Sequence, residues 1–357
     1  MTTDTPACSC STPSSDRAVP LPPTLEELLG HEDVDTGVLA VAGFLTGRRV
    51  LVTGAGGSIG SELARQIAAY GPAELTLLDR DETGLQQTQL SIAGHGLLDT
   101  RDVVLTDIRD RDSLVQVFAS RRPEIVFHAA ALKHLPLLEQ YPAEGWKTNV
   151  LGTLNVLSAA REAGVERFVN VSTDKAANPT STLGATKRLA ERLTAWFAEQ
   201  TSEQYVSVRF GNVFGSRGSI VPVFQELIAR GGPVTVTHPD ATRYFMSIPE
   251  ACHLVVQAAA IGSPGQVLLL DMGEPVRILD VARRLIARSG RSVDIVYTWL
   301  RPGEKLHEEL SNCGDTVQRS LHPKISHARV PALSPDELST DMLAEALTAE
   351  PLSALAS

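Results

Sequence analysis

The chain has 357 residues, 43% of them hydrophobic, and carries 32 basic against 42 acidic side chains for a formal net charge of −10. That length and apolar content allow a large core, built as an α/β unit with a smaller appended lobe or as two to three domains. The acidic balance argues against general attraction to nucleic acid or anionic membranes, while leaving room for a phosphorylated ligand held by a few local arginines.

Residues 1–22 are rich in Ser, Thr and Pro, show no basic-then-apolar targeting pattern, and read as a disordered leader. Residues 23–46 read as a short helical segment, with PTLEELLG at Pro23–Gly30 its helix. The apolar run Gly37–Leu45 is far shorter than the roughly 20 residues of a spanning helix, so no membrane insertion and a cytoplasmic location are expected. Cys8, Cys10, Cys252 and Cys313 make neither a disulfide framework nor a metal-binding spacing, and no metal site is expected.

From Arg48 onward, buried strands alternate with helices. RRVLVTG is followed by a helix over Ser61–Tyr70, AELTLLD by a helix over Glu82–Ala93, and DVVLTD by one over Asp112–Ser120. PEIVFHAAA, a long helix over Glu144–Ala163, RFVNVST, a helix over Gly184–Gln200 and YVSVRFGNVFG complete six strands. This alternation predicts a Rossmann-type doubly wound parallel sheet over residues 47–214. Beyond Gly215 the pattern breaks into short strands (VTVTH, QVLLLDMG) and a helix at Ile278–Ser289, so 215–330 is expected to be mainly a C-terminal substrate-binding lobe. Residues 331–357, with a helix start at Ser334–Glu337, read as a tail.

Gly54, Gly57 and Gly60 form GxxGxxG between the first strand and its helix, where glycines let a dinucleotide pyrophosphate approach helix N–H groups. Asp79, at the end of the second strand, is placed for the adenosine ribose hydroxyls. Its charge would repel a 2′-phosphate, whereas Arg80 would attract one. NAD is favoured and NADP is the alternative. Asp107 and Ile108 end the third strand where adenine would lie, although an ordinary strand-end aspartate fits Asp107 equally well.

TGAGGSIG, the DIRD of Asp107–Asp110, the HAAA of His128–Ala131, Asn149 with Gly152 and Thr153, and the strand-end STDK resemble the extended short-chain dehydrogenase/reductase family. More narrowly, AAALKHLPLLE, STDKAANPTSTLGATKR, VRFGNVFGSRGSIVPVF, TRYFMSIPEA and RPGEKLHEEL resemble the nucleotide-sugar 4,6-dehydratases of its polysaccharide-biosynthesis branch, many of which carry N-terminal membrane helices. The resemblance implies NAD(P) held by Gly54, Gly57, Ser58, Ile59, Gly60, Ala129 and Ala130, with Lys187 on the nicotinamide ribose. It implies transient oxidation of the sugar at carbon 4 and loss of water across carbons 5 and 6. Asp174 is then the acid, Lys175 the base, and Thr173 the partner of the carbon-4 oxygen. A neutral Lys175 requires desolvation or a nearby positive charge.

In the broad family a tyrosine stands four residues before the lysine. Here that position is Leu183, which accepts no proton, leaving the carbon-4 base to Thr173 with a water or to Lys175 acting twice. Lys133 is expected near the sugar. Asn212, Arg217, Arg243 and Arg301 are expected near the diphosphate and Glu304 near the nucleoside ribose of a UDP-sugar. The resemblance also implies a homo-oligomer paired through the Glu144–Ala163 helix and the helix after Gly184. An epimerase or 5,6-dehydratase on the same site, or a non-catalytic nucleotide-sugar-binding subunit, are the alternatives.

Overall fold

The structure is a computed structural model that describes residues 23–29, 43–201, 203–312 and 318–348. The expected leader, residues 37–42 of the apolar run, Cys8, Cys10, Cys313 and the last nine residues lie outside them.

The strand runs that were continuous and apolar in sequence form one sheet. Its members are β1 (Arg49–Thr53), β2 (Glu74–Asp79), β3 (Val103–Leu105), β4 (Ile125–His128), β5 (Arg167–Val171), β6 (Gln204–Arg209), β11 (Gln266–Leu270), β14 (Gln318–His322) and β15 (Ile325–Arg329). The order is β14-β15-β11-β6-β5-β4-β1-β2-β3; β3 through β11 pair in parallel, and β15 and β14 close that edge antiparallel. The chain winds outward from β1 to β3, then returns to β4 on the other side of β1. This reversal opens a crevice beyond the carboxyl ends of the strands, where doubly wound sheets bind ligands.

Both faces of the sheet are covered, which is why its strands show no polar alternation. Val50 and Val52 of β1 pack with Leu63 and Ile67 of α2 (Ser58–Ala69) and Leu254 and Val255 of α10 (Ile248–Ile261). Leu51 between them points the other way. It packs with Phe118 of α4 (Arg111–Arg121), Val156 of α7 (Thr153–Glu162) and Leu193 of α8 (Thr182–Gln200). The remaining helices are α1 (Leu25–Leu29), α3 (Glu82–Ala93), α5 (Leu135–Gln140), α6 (Pro142–Gly145), α9 (Ile220–Ala229), α11 (Ile278–Ser289) and α12 (Asp341–Thr348). A smaller apolar cluster joins α9, α11 and the short β8 (Val234–Val236), and α1 adds Leu25 and Leu28 to it.

Four expectations need correction. The sixth strand is broken: β6 stops at Arg209, and β7 (Asn212–Phe214) leaves the sheet to pair with β10 (Phe245–Ser247). The span 215–330 is not one lobe, because α10 packs on α2 while β11, β14 and β15 extend the main sheet. The described part of the C-terminal tail is docked, with Leu333, Leu338, Met342 and Leu343 in the core cluster beneath α8. The helix expected over Glu144–Ala163 begins at Pro142 and passes through a π-helical stretch, Trp146–Gly152, before α7.

Arg209 at the end of β6 is fully buried and forks onto Glu191 of α8, Nε–Oε1 at 2.7 Å and Nη2–Oε2 at 2.6 Å. Ser172 Oγ donates to Glu191 Oε1 at 2.6 Å, and Arg209 Nη1 donates to the Leu310 carbonyl at 3.2 Å. Burial works against the Glu191 charge, but Arg209 outweighs it and holds the carboxyl below its ordinary range. Removing one member strands a buried charge, so Glu191→Ala is expected to lose about 3–5 kcal/mol of stability in urea denaturation. A loss below about 1 kcal/mol would show that the pair is dispensable.

Candidate active site

The crevice is a cavity of about 580 Å³ lined by the glycine turn, the ends of β4 and β5, α8, and the segment from Phe210 to Ile220. A second cavity of about 200 Å³ continues from it past Asp79 to Ile108.

Glycine is required at two points of the turn. Gly54 has φ +69°, and an added Cβ would lie 2.6 Å from the Ala130 nitrogen; a Cβ on Gly60 would lie 2.1 Å from the Gly54 carbonyl. The backbone therefore folds tightly under the start of α2. This helix begins at Ser58 rather than Ser61, inside the motif, and its N-cap Gly57 supplies no side-chain cap. Gly57, Ser58 and Ile59 line the cavity, at the end of the helix where the first N–H groups have no intrahelical acceptor. Such a cradle fits a dinucleotide pyrophosphate.

Asp79 accepts from Gly56 N at 2.8 Å and Asp81 N at 2.9 Å, fixing its carboxylate at the mouth of the second cavity. Arg80, Asp107, Ile108, Ala129 and Ala130 line that cavity too. Asp107 is shared, with Arg80 Nη1 at 3.3 Å and Arg109 Nη2 at 2.7 Å.

At the opposite wall the end of β5 turns into a short 3₁₀ segment, Asp174–Ala176. Asp174 Oδ1 accepts from Thr173 Oγ1 at 2.8 Å and from Lys175 Nζ at 2.9 Å. Thr173 and Lys175 line the cavity; Asp174 lies fully buried behind them, and its Oδ2 has no hydrogen-bond partner among the described residues. The break in the sixth strand makes this room. Gly211 sits at the break, where a Cβ would lie 3.1 Å from Asp174 Oδ2.

The two lysines differ in charge state. Burial disfavours the Lys175 ammonium, but Asp174 and then Glu308, whose Oε1 is 3.4 Å away, outweigh it and raise the amine above the usual lysine value. Lys175 is therefore favoured as an ion-paired cation, and the neutral amine that a base requires is disfavoured by these partners. Lys187, in the same cavity, is pulled down by burial to about 8, with Glu191 only partly opposing. Leu183 lines the cavity one helical turn before Lys187, 6% exposed. His128, buried between Thr53 Oγ1 (2.7 Å) and Thr153 Oγ1 (3.0 Å), is held neutral by burial, its value lowered to about 3. Asn149 ties Leu132 N and O to Thr186 Oγ1 at 2.8, 3.0 and 3.1 Å, joining the loop after β4 to α8.

The residues expected at the substrate diphosphate separate. Lys133 and Asn212 line the main cavity; Asn212 Oδ1 lies 3.4 Å from Lys175 Nζ and Lys133 Nζ lies 3.4 Å from Ser216 Oγ. Arg217 is drawn onto the glycine turn, its guanidinium on the Gly56 carbonyl and its N–H on Ser58 Oγ at 3.1 Å, because the Ser216–Ser219 turn reaches across to α2. Arg243 does not line either cavity: its guanidinium donates to the carbonyls of Thr242, Leu306 and Lys305 and lies 3.8 Å from Glu308. Arg301 and Glu304 pair with each other at 2.6 Å, also away from both cavities. Sequence reasoning did not single out Glu308, Arg209 or Glu191; their motifs were visible, but only the folded chain brings them to the lysines.

The fold and this crevice define an extended short-chain dehydrogenase/reductase. More narrowly, the chain belongs to the polysaccharide biosynthesis protein family, whose model matches residues 50–330. It is 46% identical over 307 residues to the probable polysaccharide biosynthesis protein EpsC of Bacillus subtilis, covering 84% of this chain and 51% of that one. It is 32% identical over 275 residues to the UDP-N-acetylglucosamine 4,6-dehydratase (inverting) of Campylobacter jejuni, covering 76% and 79%, and 33% identical over 279 residues to the UDP-glucose 4-epimerase of Rickettsia akari, covering 76% and 80%. The chain spans about half the length of the first curated relatives it matches, 51% and 52%. Among solved structures it is similar to Pen from Bacillus thuringiensis, with TM-score 0.74, 30% identity and coverage of 81% and 91%. The dTDP-glucose 4,6-dehydratase DesIV of Streptomyces venezuelae, with NAD bound, shares the fold at TM-score 0.67 and 24% identity, covering 74% and 88%. Among the described residues no helix is long and apolar enough to cross a membrane.

Lys187 has a pH signature. Its value in the fold, about 8, lies below the ordinary 10.5, so between those limits the unfolded chain binds more protons and stability rises with pH. Thermal melts from pH 7 to 11 are expected to show wild type gaining on Lys187→Met between about pH 8 and 10.5. Parallel curves would show that the amine is not desolvated.

Proposed function

We propose that this protein is a nucleotide-sugar 4,6-dehydratase that converts UDP-N-acetylglucosamine to a UDP-4-keto-6-deoxy sugar. The observation that carries the reading is the hydrogen-bonded Asp174–Lys175 pair, 2.9 Å apart, whose lysine lines the same cavity as the N-terminus of the glycine-turn helix. A sugar in this cavity would meet Lys175 and Thr173 directly, with Asp174 hydrogen-bonded immediately behind both, so an acid and a base lie close together as an elimination requires.

Gly54, Gly57, Ser58, Ile59, Gly60, Ala129 and Ala130 would hold a nicotinamide dinucleotide, with Asp79 on the adenosine ribose and Lys187 on the nicotinamide ribose. Asp79 favours NAD; Arg80 is drawn toward Asp107 and is the residue through which NADP would be accepted. The chemistry such a dinucleotide would supply there is reversible hydride exchange with the sugar, from carbon 4 and back to carbon 6. Arg217, placed on the glycine turn, serves the boundary between cofactor and sugar diphosphate, while Lys133 and Asn212 face the sugar. Arg243, Arg301 and Glu304 reach the nucleotide only if their present partners release them.

The ion pair holds the ingredients for the elimination. Transfer of one proton from Lys175 Nζ to Asp174 Oδ1 along their hydrogen bond gives a neutral amine beside a protonated acid. The amine then takes the proton from carbon 5, acidified by the adjacent ketone, the acid protonates the hydroxyl leaving carbon 6 as water, and Lys175 returns a proton to carbon 5 as carbon 6 regains hydride. Thr173, whose hydroxyl donates to the same carboxylate oxygen, would hold the carbon-4 oxygen by turning that donor to the sugar. Leu183 offers no acceptor, so the proton of the carbon-4 hydroxyl leaves through Thr173 and a water or through Lys175 acting twice.

The epimerase relative supports a second reading, C4 epimerisation on the same site. An epimerase does not need the acid–base pair and has no use for an apolar residue at position 183. Substrate deuterated at carbon 4 is expected to give product deuterated at carbon 6, and reaction in heavy water is expected to label carbon 5. Deuterium found only at carbon 4 of the product would exclude the dehydratase. Lys175→Ala should abolish carbon-5 exchange as read by NMR; near-normal exchange would remove Lys175 as the base.

A further inference from the structure

The most specific motif of the C-terminal third, RPGEKLHEEL, folds directly onto the turn that carries Asp174 and Lys175. Thr180 Oγ1 donates to the Gly303 carbonyl at 3.2 Å and Lys305 Nζ to the Ala177 carbonyl at 3.0 Å. The Asn178 side chain donates to Glu309 at 2.7 Å, and its N–H to Asn312 Oδ1 at 2.8 Å. Asn178 itself has φ +40°, a strained value held by these contacts. The segment therefore clamps the turn from behind and carries Glu308 into the interior.

Glu308 is 7% exposed. Its Oε1 lies 3.4 Å from Lys175 Nζ and 3.8 Å from Arg243 Nε, and its Oε2 has no hydrogen-bond partner among the described residues. A buried carboxylate with one unsatisfied oxygen is destabilising, so packing alone gives no reason for a charge there. Arg243 explains how it is held, since the same guanidinium grips the carbonyls of Lys305 and Leu306 just before Glu308. The charged groups facing the Lys175 amine are Asp174 on its own turn, Glu308 from the C-terminal segment and Arg243 from β9 (Thr242–Arg243); Lys187 of α8 lines the same cavity.

We propose that Glu308 is a positioning residue for Lys175: it pins the amine between two carboxylates, keeps its proton in place in the resting site, and so sets the pH at which the lysine becomes a base. The proposal rests on the dehydratase reading only for what the base does. The proton balance is simple. Lys175 gives one proton to Asp174 and one back to carbon 5; it receives one from carbon 5 and, directly or through water, the one released by the carbon-4 hydroxyl, so Glu308 loses and gains nothing overall.

Two measurements on Glu308→Gln and Glu308→Asp test this. The first follows Lys175 itself, by NMR titration of its ¹³C-dimethylated amine, assigned by the signal lost in Lys175→Ala. The midpoint is expected to fall by one pH unit or more in Glu308→Gln, to recover in part in Glu308→Asp, and to move the opposite way in Arg243→Met. The second is the pH profile of carbon-5 exchange in heavy water with UDP-N-acetylglucosamine, whose acid limb is expected to move to lower pH in Glu308→Gln. A Lys175 midpoint unchanged in folded Glu308→Gln overturns the proposal, as does a loss of thermal stability with neither profile moved. A shifted midpoint in a wild-type background that converts no UDP-sugar leaves the proposal standing and removes the dehydratase reading.

Discussion

The buried fork between Arg209 and Glu191 is the joint on which the crevice depends. It fastens the last residue of β6 to the middle of α8, and through Ser172 and Leu310 it reaches the end of β5 and the C-terminal segment. Everything chemically active is hung within a few residues of those four anchors: the Asp174–Lys175 turn, Lys187 one helical turn before Glu191, Asn212 just past Arg209, and Glu308 just before Leu310. A hydrophobic contact would have held the elements together but would not have fixed their orientation. Two charge-assisted hydrogen bonds in a dry interior do both, provided neither partner is lost.

The same interior gives two lysines of one cavity opposite tendencies. Lys187 is desolvated with only partial compensation from Glu191, which is already claimed by Arg209, and its ammonium is weakened. Lys175 is also desolvated, but two carboxylates face it and its proton is held more tightly. The difference lies in the partners, not in burial.

Much of this was legible in the chain. The glycine turn, the strand–helix alternation, Asp79 at the second strand end and the adjacent Thr173, Asp174 and Lys175 were all read from local sequence. The structure places the glycine turn, Thr173 and Lys175 on one cavity with Asp174 directly behind it, and Asp79 on the cavity that continues from it. The arginines were not legible. Arg243 and Arg301 looked like phosphate ligands because guanidinium groups suit phosphate, yet equally good acceptors, main-chain carbonyls and Glu304, lie within their own reach in the fold. The proton affinity of Lys175 was not legible for a related reason: Glu308, though inside a recognisable motif, lies 133 residues further along the chain, and nothing local to either residue signals their contact. The break at Gly211, which frees β7 from the sheet and makes room for Asp174, was hidden inside a run with uniform strand character.

The sequence by itself determined the doubly wound α/β class and the glycine turn, because these follow from periodicity and from backbone conformations only glycine permits. Tertiary structure alone decided which charges meet. Whether Lys175 is a cation or an amine, whether an arginine greets a phosphate or a carbonyl, and whether the C-terminal segment forms a separate lobe or a brace depend on distances between residues far apart in the chain. Electrostatic energy follows those distances and the local dielectric, and neither is encoded in any one stretch of residues.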